Sequence, residues 1–442
     1  MRIRVCTVIA ALVVATVGLP AFAQVAMPVQ REVPLAATPG EVDYLRTVPL
    51  PPGRAAVVSD VAGVLAVIHK QGKIPGPHVS LVRLDDRGEP SKDKPVTIQL
   101  PHSKLLTDRD NYPLALTVHP KLPLLYVWQD VVTSFEKGAP VDDPKADGFC
   151  HLHVYDISKP EPQLLQSVAQ GDTFARGNTA GAIEFDRHAT RLFVPNLQRR
   201  NAKGVATASI GFLRVLENGH VVPDDDDVLA AASSGKAGVD RQADVTAAAR
   251  KAYLEQVRTG KVLDRATRNA TSASAIFAAH PCGLSYFNVS DTVTIVGGPL
   301  GPVTWDESNR RAQFNAITFY PIVGIGYRLR LVGHPTLPVI FVSGLSSGFV
   351  YRMEHVDGFL TMLPQRGTLA GVTAIASSPV LLGKRPYFAC GSAKTLHLIG
   401  FDDQGHLNGQ RIDVPVVSDT VEAIAYSPRF DKLYTRVDEA KK

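Results

Sequence analysis

The chain has 442 residues, 45% of them hydrophobic and 20% charged, with 47 Lys+Arg against 42 Asp+Glu and a formal net charge of +5. Those fractions exclude a disordered, collagen-like or many-span membrane chain. So slight a basic excess gives no footing for nucleic-acid binding.

Residues 1–23 read as a secretory signal. Arg2 and Arg4 form the basic start, Cys6 to Leu19 the apolar run, and Pro20-Ala21-Phe22-Ala23 a small-residue cleavage site. The run is too short to span a bilayer and no later stretch is long enough, so no membrane span is expected. The mature chain then begins at Gln24, in the periplasm or outside the cell. Cys6 leaves with the signal, and Cys150, Cys282 and Cys390 remain. Three cysteines in so long a chain are no disulfide framework. They read as buried thiols that pack like small hydrophobes, with one disulfide and a spare thiol as the alternative.

Self-similarity is the main signal in the rest of the chain. Short apolar segments end in a polar turn and a very apolar segment follows. The copies are "AAVVSDVAGVLAVIH" from Ala55, "LALTVHPKLPLLYVWQD" from Leu114, "AIEFDRHATRLFVPN" from Ala182, "IFAAHPCGLSYFNV" from Ile276, "LRLVGHPTLPVIFVSG" from Leu329, "TAIASSPVLLGKRPYFACG" from Thr373 and "EAIAYSPRFDKLYTRV" from Glu422. They align on Asp60, His119, Asp186, His280, His334, Ser378 and Ser427. Three positions earlier stand Val57, Leu116, Ile183, Phe277, Leu331, Ile375 and Ile424. Within the block from Arg328, "RLRLVG", "VIFVSG", "GFVYRM" and "FLTML" are separated by turn residues, so each unit supplies four strands. An apolar second strand is expected where both sheet faces are covered.

The fold class is therefore all-β, a seven-bladed β-propeller of four-stranded blades over 24–442. The last unit holds only two strands before the chain ends. "VAMPVQREVPL" and "EVDYLRTVPL", ahead of the first repeat, are expected to complete that blade and close the ring. The segments "VHPKLPLLYVW", "GHPTLPVIFVSG" and "SPRFDKLYTRV" resemble the repeat of YVTN/lactonase-type seven-bladed propellers, although no copy carries a clean Tyr-Val-x-Asn. Trp305-Asp306 is not the WD40-like dipeptide, since no Gly-His precedes it and no other unit repeats it.

Turns between strands one and two, and three and four, lie on one face of a propeller. The two-to-three turns and the blade-to-blade connections lie on the other. The enlarged segments Gln129–Phe149, Asn196–Ala208, Pro223–Ser274 and Asp306–Ile325 are all expected on the second face, which makes it a recognition surface. The insertion 223–274 has a helix-forming composition. It opens on Asp224, Asp225, Asp226 and Asp227, hard oxygen donors of the kind Ca²⁺ takes. They lack the alternate spacing and Gly of a formed calcium loop, so a solvated acidic run is the simpler reading. No other cofactor is expected.

His119, His280 and His334 recur at one repeat position beside Pro and are expected to bond neighbouring backbone. His151 and His153 share a strand face, a metal pair with no third ligand nearby. Glu184, Arg328, Arg330 and Glu422 are ionisable residues on innermost strands, where aligned copies of Arg330 hold Ala or Ile. Such charges at a channel mouth suit an anionic ligand, with Arg328, Arg330 and Glu422 binding it. They also suit a hydrolase in which a carboxylate activates water and an arginine stabilises the oxyanion. The resemblance implies that active residues gather at this mouth, without matching them one by one. No G-x-S-x-G elbow, Walker A loop or Rossmann fingerprint is present. Two readings stay open: a monomeric module that binds a protein or small-molecule partner through the elaborated face, and a lactonase-type hydrolase.

Overall fold

The structure, a computed structural model, describes residues 31–69, 78–100, 112–130, 135–136, 139–140, 150–169, 183–185, 188–195, 210–223, 273–280, 283–290, 303–306, 311–314, 329–337, 339–344, 348–356 and 359–438. The expected signal at 1–23 and nearly all of the insertion 223–274 lie outside them. The described residues are all strand and turn, with no helix.

β1 (Arg31–Pro39) and β2 (Leu45–Pro49) open the chain and pair with strands from its end. β3 (Gly53–Ser59), β4 (Val64–His69), β5 (His78–Arg83) and β6 (Val96–Gln99) form an antiparallel meander. β7 (Tyr112–Val118) and β8 (Leu124–Asp130) begin the next sheet, and a small hairpin of β9 (Phe135–Glu136) and β10 (Ala139–Pro140) follows. β11 (Cys150–Asp156) and β12 (Gln163–Ala169) complete that sheet. A third meander is β13 (Glu184–Phe185), β14 (Arg191–Pro195), β15 (Ile210–Val215) and β16 (Val221–Pro223). Then come two hairpins, β17 (Ala273–His280) with β18 (Gly283–Ser290) and β19 (Val303–Asp306) with β20 (Arg311–Phe314), which meet through β18 and β19. β21 (Leu329–Gly333), β22 (Val339–Gly344), β23 (Phe349–Val356) and β24 (Phe359–Leu369) make another meander. β25 (Val380–Leu382), β26 (Tyr387–Gly391), β27 (Thr395–Phe401) and β28 (Leu407–Pro415) make the next, before β29 (Ile424–Ser427) and β30 (Lys432–Val437).

The sheets are stacked face to face, and the second strands show it. β4 is buried along its whole length, yet its residues split between two cores. Leu65 and Val67 pack with Ala425 and Tyr434, whereas Val64, Ala66 and Ile68 pack with Leu116, Leu125 and Val127. β8 continues the alternation, its Leu124, Tyr126 and Trp128 meeting Ile183, Leu192 and Leu213. Phe341 stacks on Phe388 at 4.7 Å between ring centroids, while Ala389 and Leu398 face Ile424 and Leu433. A strand with neighbours on both faces has no polar side, which is why these segments read as continuous apolar runs.

First strands touch at most junctions: β3 against β7, β13 against β17, β17 against β21, β21 against β25, and β25 against β29, while the β7 and β13 sheets meet through Tyr126, Phe185 and Leu192. β29 returns to β3, so the architecture is a β-propeller closed between the first and last sheets. At that junction Ser427 Oγ donates to Asp60 Oδ1 at 2.5 Å, the Arg429 amide to Asp60 Oδ2 at 3.2 Å, and the Tyr434 hydroxyl to the Gly88 carbonyl at 2.8 Å. Glu89 joins Arg46 (2.6 Å) and Lys432 into one ion-paired group, which holds its carboxyl down at about 2.

Closure departs from expectation in one respect. β2 pairs parallel with β30, Leu45 opposite Leu433 through Pro49 opposite Val437, and completes the last sheet as its third strand. β1 goes elsewhere. Arg31–Leu35 run parallel to Gln365–Leu369 of β24, and Ala36–Pro39 then run parallel to Gln410–Asp413 of β28. It stitches two outer edges into one nine-stranded sheet. The physical reason is burial: Val33 and Leu35 fall into the core formed by Val350, Leu369, Phe401 and Leu407.

The aligned turn residues do what a polar position in a tight turn must. His119 Nδ1 accepts the amides of Lys121 and Leu122, both at 3.1 Å, and His334 Nδ1 accepts those of Thr336 (3.2 Å) and Leu337 (3.0 Å). Ser427 Oγ accepts the Phe430 amide at 3.1 Å. Burial holds both imidazoles below the ordinary histidine pKa, which keeps Nδ1 free to accept. His119→Ala therefore strands two turn amides and is expected to lower stability by about 1–3 kcal/mol in urea denaturation. His119→Asn, whose side-chain oxygen accepts in turns, is expected to recover part of the loss.

Candidate functional site

The ionisable residues singled out in the sequence lie on separate elements. Glu184 is on β13, where it pairs in register with Phe193. Burial pushes its carboxyl up to about 7. Arg330 is on β21 opposite Ser343, and Glu422 is partly buried just ahead of β29. β21 and β29 flank β25 on either side, so these two positions share one arc of first strands. Arg328 and Asp224, Asp225, Asp226 and Asp227 lie outside the described residues. Among the described residues no group of three or more His, Cys, Asp or Glu is placed to hold a metal ion.

The two faces of the propeller differ. The one-to-two turns are short, as are the three-to-four turns apart from 84–95, and several are capped from within. Asp85 Oδ1 accepts the amides of Arg87 and Glu89, both at 2.8 Å, and Asp402 Oδ1 those of Gln404 (2.9 Å) and His406 (2.8 Å). The His119 and His334 turns lie at this end too. Three of the two-to-three connections are long, 70–77, 131–149 and 196–209, whereas 345–348 and 392–394 are as short as the capped turns. The blade-to-blade stretches 170–182 and 224–272 also exceed the capped turns in length. One enlarged segment reads differently from expectation. Asp306–Ile325 contains β20, so residues 307–310 are a three-to-four turn and only the part after Phe314 leads to the next sheet.

Three clusters of buried polar groups lie at the two-to-three end. His69 closes β4 and His78 opens β5; both are fully buried, and their rings stack at 4.8 Å. His69 Nδ1–H donates to the Pro52 carbonyl at 3.2 Å. In the next sheet His153 Nε2–H donates to Gln129 Oε1 at 3.2 Å, and Ser167 Oγ–H donates to His153 Nδ1 at 3.1 Å. Both ring nitrogens of His153 are thereby engaged, which uses the positions that a metal pair with His151 needs.

The third cluster lies in the turn after β26 and on β27 and β28. Ser392 Oγ is 2.7 Å from His397 Nε2, and His397 Nδ1 is 2.7 Å from Asp413 Oδ1. Arg411 Nη2 donates to Asp413 Oδ2 at 2.9 Å and to the Ala370 carbonyl at 3.0 Å. Burial lowers the His397 pKa against the pull of Asp413, with Arg411 adding to the lowering. Cys390, opposite His397 on the second strand, is a free buried thiol pushed up to about 12 by burial and by Asp413. It is chemically quiet, as expected for a cysteine that packs like a small hydrophobe. Sequence reasoning singled out His153 without Gln129 and Ser167 and passed over the other two clusters. The signal was a histidine on the third strand of three units, in "HVSLVR", "HLHVYD" and "TLHLIGF".

No family model matches the chain, and no curated protein matches it. Among solved structures it is similar to Kuenenia stuttgartiensis hydrazine synthase, at 14% identity over 90% of this chain and 96% of that one, with a TM-score of 0.48. It is similar also to the Pseudomonas aeruginosa periplasmic gluconolactonase, at 16% identity over 81% and 84%, with a TM-score of 0.47. A third is the β-propeller domain of Myceliophteria thermophila Cps50, at 10% identity over 87% and 93%, with a TM-score of 0.42. Likeness at this level assigns no activity, and the propeller architecture rests on the strand pairing described above.

Proposed function

We propose that the chain is an exported, seven-bladed propeller that binds a protein or small-molecule partner through the face carrying its two-to-three and blade-to-blade connections. The blade count is supported by the succession of first strands β3, β7, β13, β17, β21, β25 and β29. Export is supported by the signal-like residues 1–23. The observation that carries the binding reading is the asymmetry of the faces. One end is sealed by short turns whose own Asp, Ser and His side chains consume their amides, which leaves little for a ligand to bond. The other end carries most of the long connections and three buried polar clusters, and loops on a rigid scaffold are where recognition residues concentrate. The test compares full-length protein with a variant in which 224–272 is replaced by a Gly-Ser linker, both immobilised and exposed to the host's exported proteins and metabolites. A ligand retained by the first is expected to be lost by the second; equal retention removes the reading.

A specific observation supports the lactonase-type alternative. Glu184 sits on a first strand with its carboxyl raised to about 7, the range in which a carboxylic acid exchanges protons with substrate at neutral pH. Arg328 and Arg330 are the candidates for oxyanion stabilisation and Glu422 for a second carboxylate. If this reading holds, the protein hydrolyses members of a lactone panel, and Glu184→Gln lowers kcat/KM by about 10²–10⁴. A panel with no turnover eliminates it.

A further inference from the structure

We propose that Ser392, His397 and Asp413 form a nucleophilic serine site for carboxylic esters, entered from the two-to-three turn of the β25–β28 sheet. The inference goes beyond the binding reading and depends neither on it nor on Glu184.

The arrangement is the one an activated serine requires: a hydroxyl bonded to a base, and the base oriented by a third group. Ser392 Oγ–H donates to His397 Nε2, and His397 Nδ1–H donates to Asp413 Oδ1, both at 2.7 Å. That fixes the neutral tautomer with its lone pair toward the serine. The backbone makes the geometry obligatory. His397 and Asp413 are direct partners across β27 and β28. The Ser392 amide donates to the Thr395 carbonyl and its own carbonyl accepts the Val421 amide, each at 2.9 Å. The preceding residue must be glycine, because a Cβ on Gly391 would stand 2.1 Å from the Val421 carbonyl oxygen. Arg411 grips the second oxygen of Asp413 and keeps that carboxylate from rotating away from the imidazole.

The turn that follows the serine faces solvent. Ser392 is 7% exposed and His397 1%, but Ala393 and Lys394, which follow the serine, are exposed in the turn, with Lys394 in the left-handed region at φ 57°. The Ala393 N–H is the amide next after the nucleophile, the position from which acyl-transfer sites commonly draw an oxyanion donor. Beside the turn, the Val416 amide donates to the Lys394 carbonyl at 2.9 Å, which brings up Val417, an apolar residue 80% exposed.

The reaction balances without a further reagent. As the Oγ–C bond forms, the serine proton moves to His397 Nε2; the C–O bond to the alcohol breaks, and the imidazolium returns the proton to the departing oxygen. Water then attacks the acyl-serine, giving its proton to His397; the Oγ–acyl bond breaks, the acid leaves and Ser392 is reprotonated.

The probes are a fluorophosphonate, whose P–F bond breaks as Oγ bonds to phosphorus, and p-nitrophenyl butyrate. Full-length folded protein is expected to incorporate one phosphonyl group on the peptide containing Ser392, read by mass spectrometry, and to hydrolyse the ester. Both rates should fall on acidification as His397 takes a proton. Ser392→Ala should abolish labelling, and His397→Gln should slow it by about 10²–10⁴. Folded wild-type protein left unlabelled at Ser392 between pH 6 and 9 overturns the proposal, as does labelling undiminished in His397→Gln. Because the labelled peptide is read on the wild-type chain, the test does not depend on whether a variant folds. A hydrogen-bond network that only ties the strands together would leave Ser392 inert.

Discussion

A chain that starts at Gly53, without β1 and β2, is expected to show no cooperative thermal transition and to be digested by protease at temperatures where the intact protein resists. The two strands and the residue after them place Val33, Leu35, Val48 and Leu50 in the cores at 9%, 1%, 4% and 2% exposure. Burying side chains of this size is worth about 1.5–3 kcal/mol each. Four of them approach the whole net stability of a typical domain, about 5–15 kcal/mol. Their loss is not local. Without β2 the last sheet keeps only β29 and β30, and without β1 the outer edges of β24 and β28 stand open. Both outcomes favour opening of the ring and edge-to-edge association. A peptide spanning 31–50, added to the truncated chain, is expected to restore the transition. Truncated protein that melts at the wild-type temperature would show that the ring closes by other contacts.

The repeat was legible because its anchor positions are polar in every copy. At His119, His334 and Ser427 the turn needs an acceptor for its amides, which histidine and serine both supply; Asp60 aligns with them but accepts from Ser427 and Arg429 across the junction. Three residues earlier the strand enters the core, and there Leu116, Ile183, Ile375 and Ile424 are buried as the apolar column in the sequence implies. The position of β1 was not legible. Val33 and Leu35 alternate with exposed neighbours, a pattern that fits any free sheet edge, and only the burial offered by Val350, Leu369 and Leu407 selects the one it takes. The buried polar clusters were obscured for a related reason. Each draws on the later strands of its own sheet and the turns between them, with different residues each time: His69 with His78, Gln129 with His153 and Ser167, Ser392 with His397 and Asp413. Alignment of first strands, which pointed to Glu184 and Arg330, does not reach them.

Acidification from pH 7.5 to about 4 is expected to cost the protein about 3 kcal/mol through His69 alone. His69 is completely buried at the junction of the first and last sheets. Its pKa is lowered from 6.5 to about 4, first by burial, then by His78 stacked on it, with Arg436 of β30 adding to the effect. The carbonyls of Pro51 and Pro52 oppose the shift without cancelling it. In the unfolded chain the imidazole takes its proton near pH 6.5, whereas the folded protein refuses it until about pH 4. The unfolded state therefore binds more protons throughout that window. The stability associated with neutral His69 is complete above pH 6.5, declines as the pH falls toward 4, and changes no further below it. Urea denaturation of wild type and His69→Gln across this range isolates the contribution, since every other titrating group is common to both. The variant's profile is expected to be flatter by about 3 kcal/mol between its ends. Parallel profiles would mean that His69 is not the group that resists the proton. Because the pair His69–His78 also flanks the connection 70–77 on the elaborated face, the charge that opens this junction enters at the end where a ligand is proposed to bind. Ligand retention, followed through the same acid titration, is expected to fall together with stability.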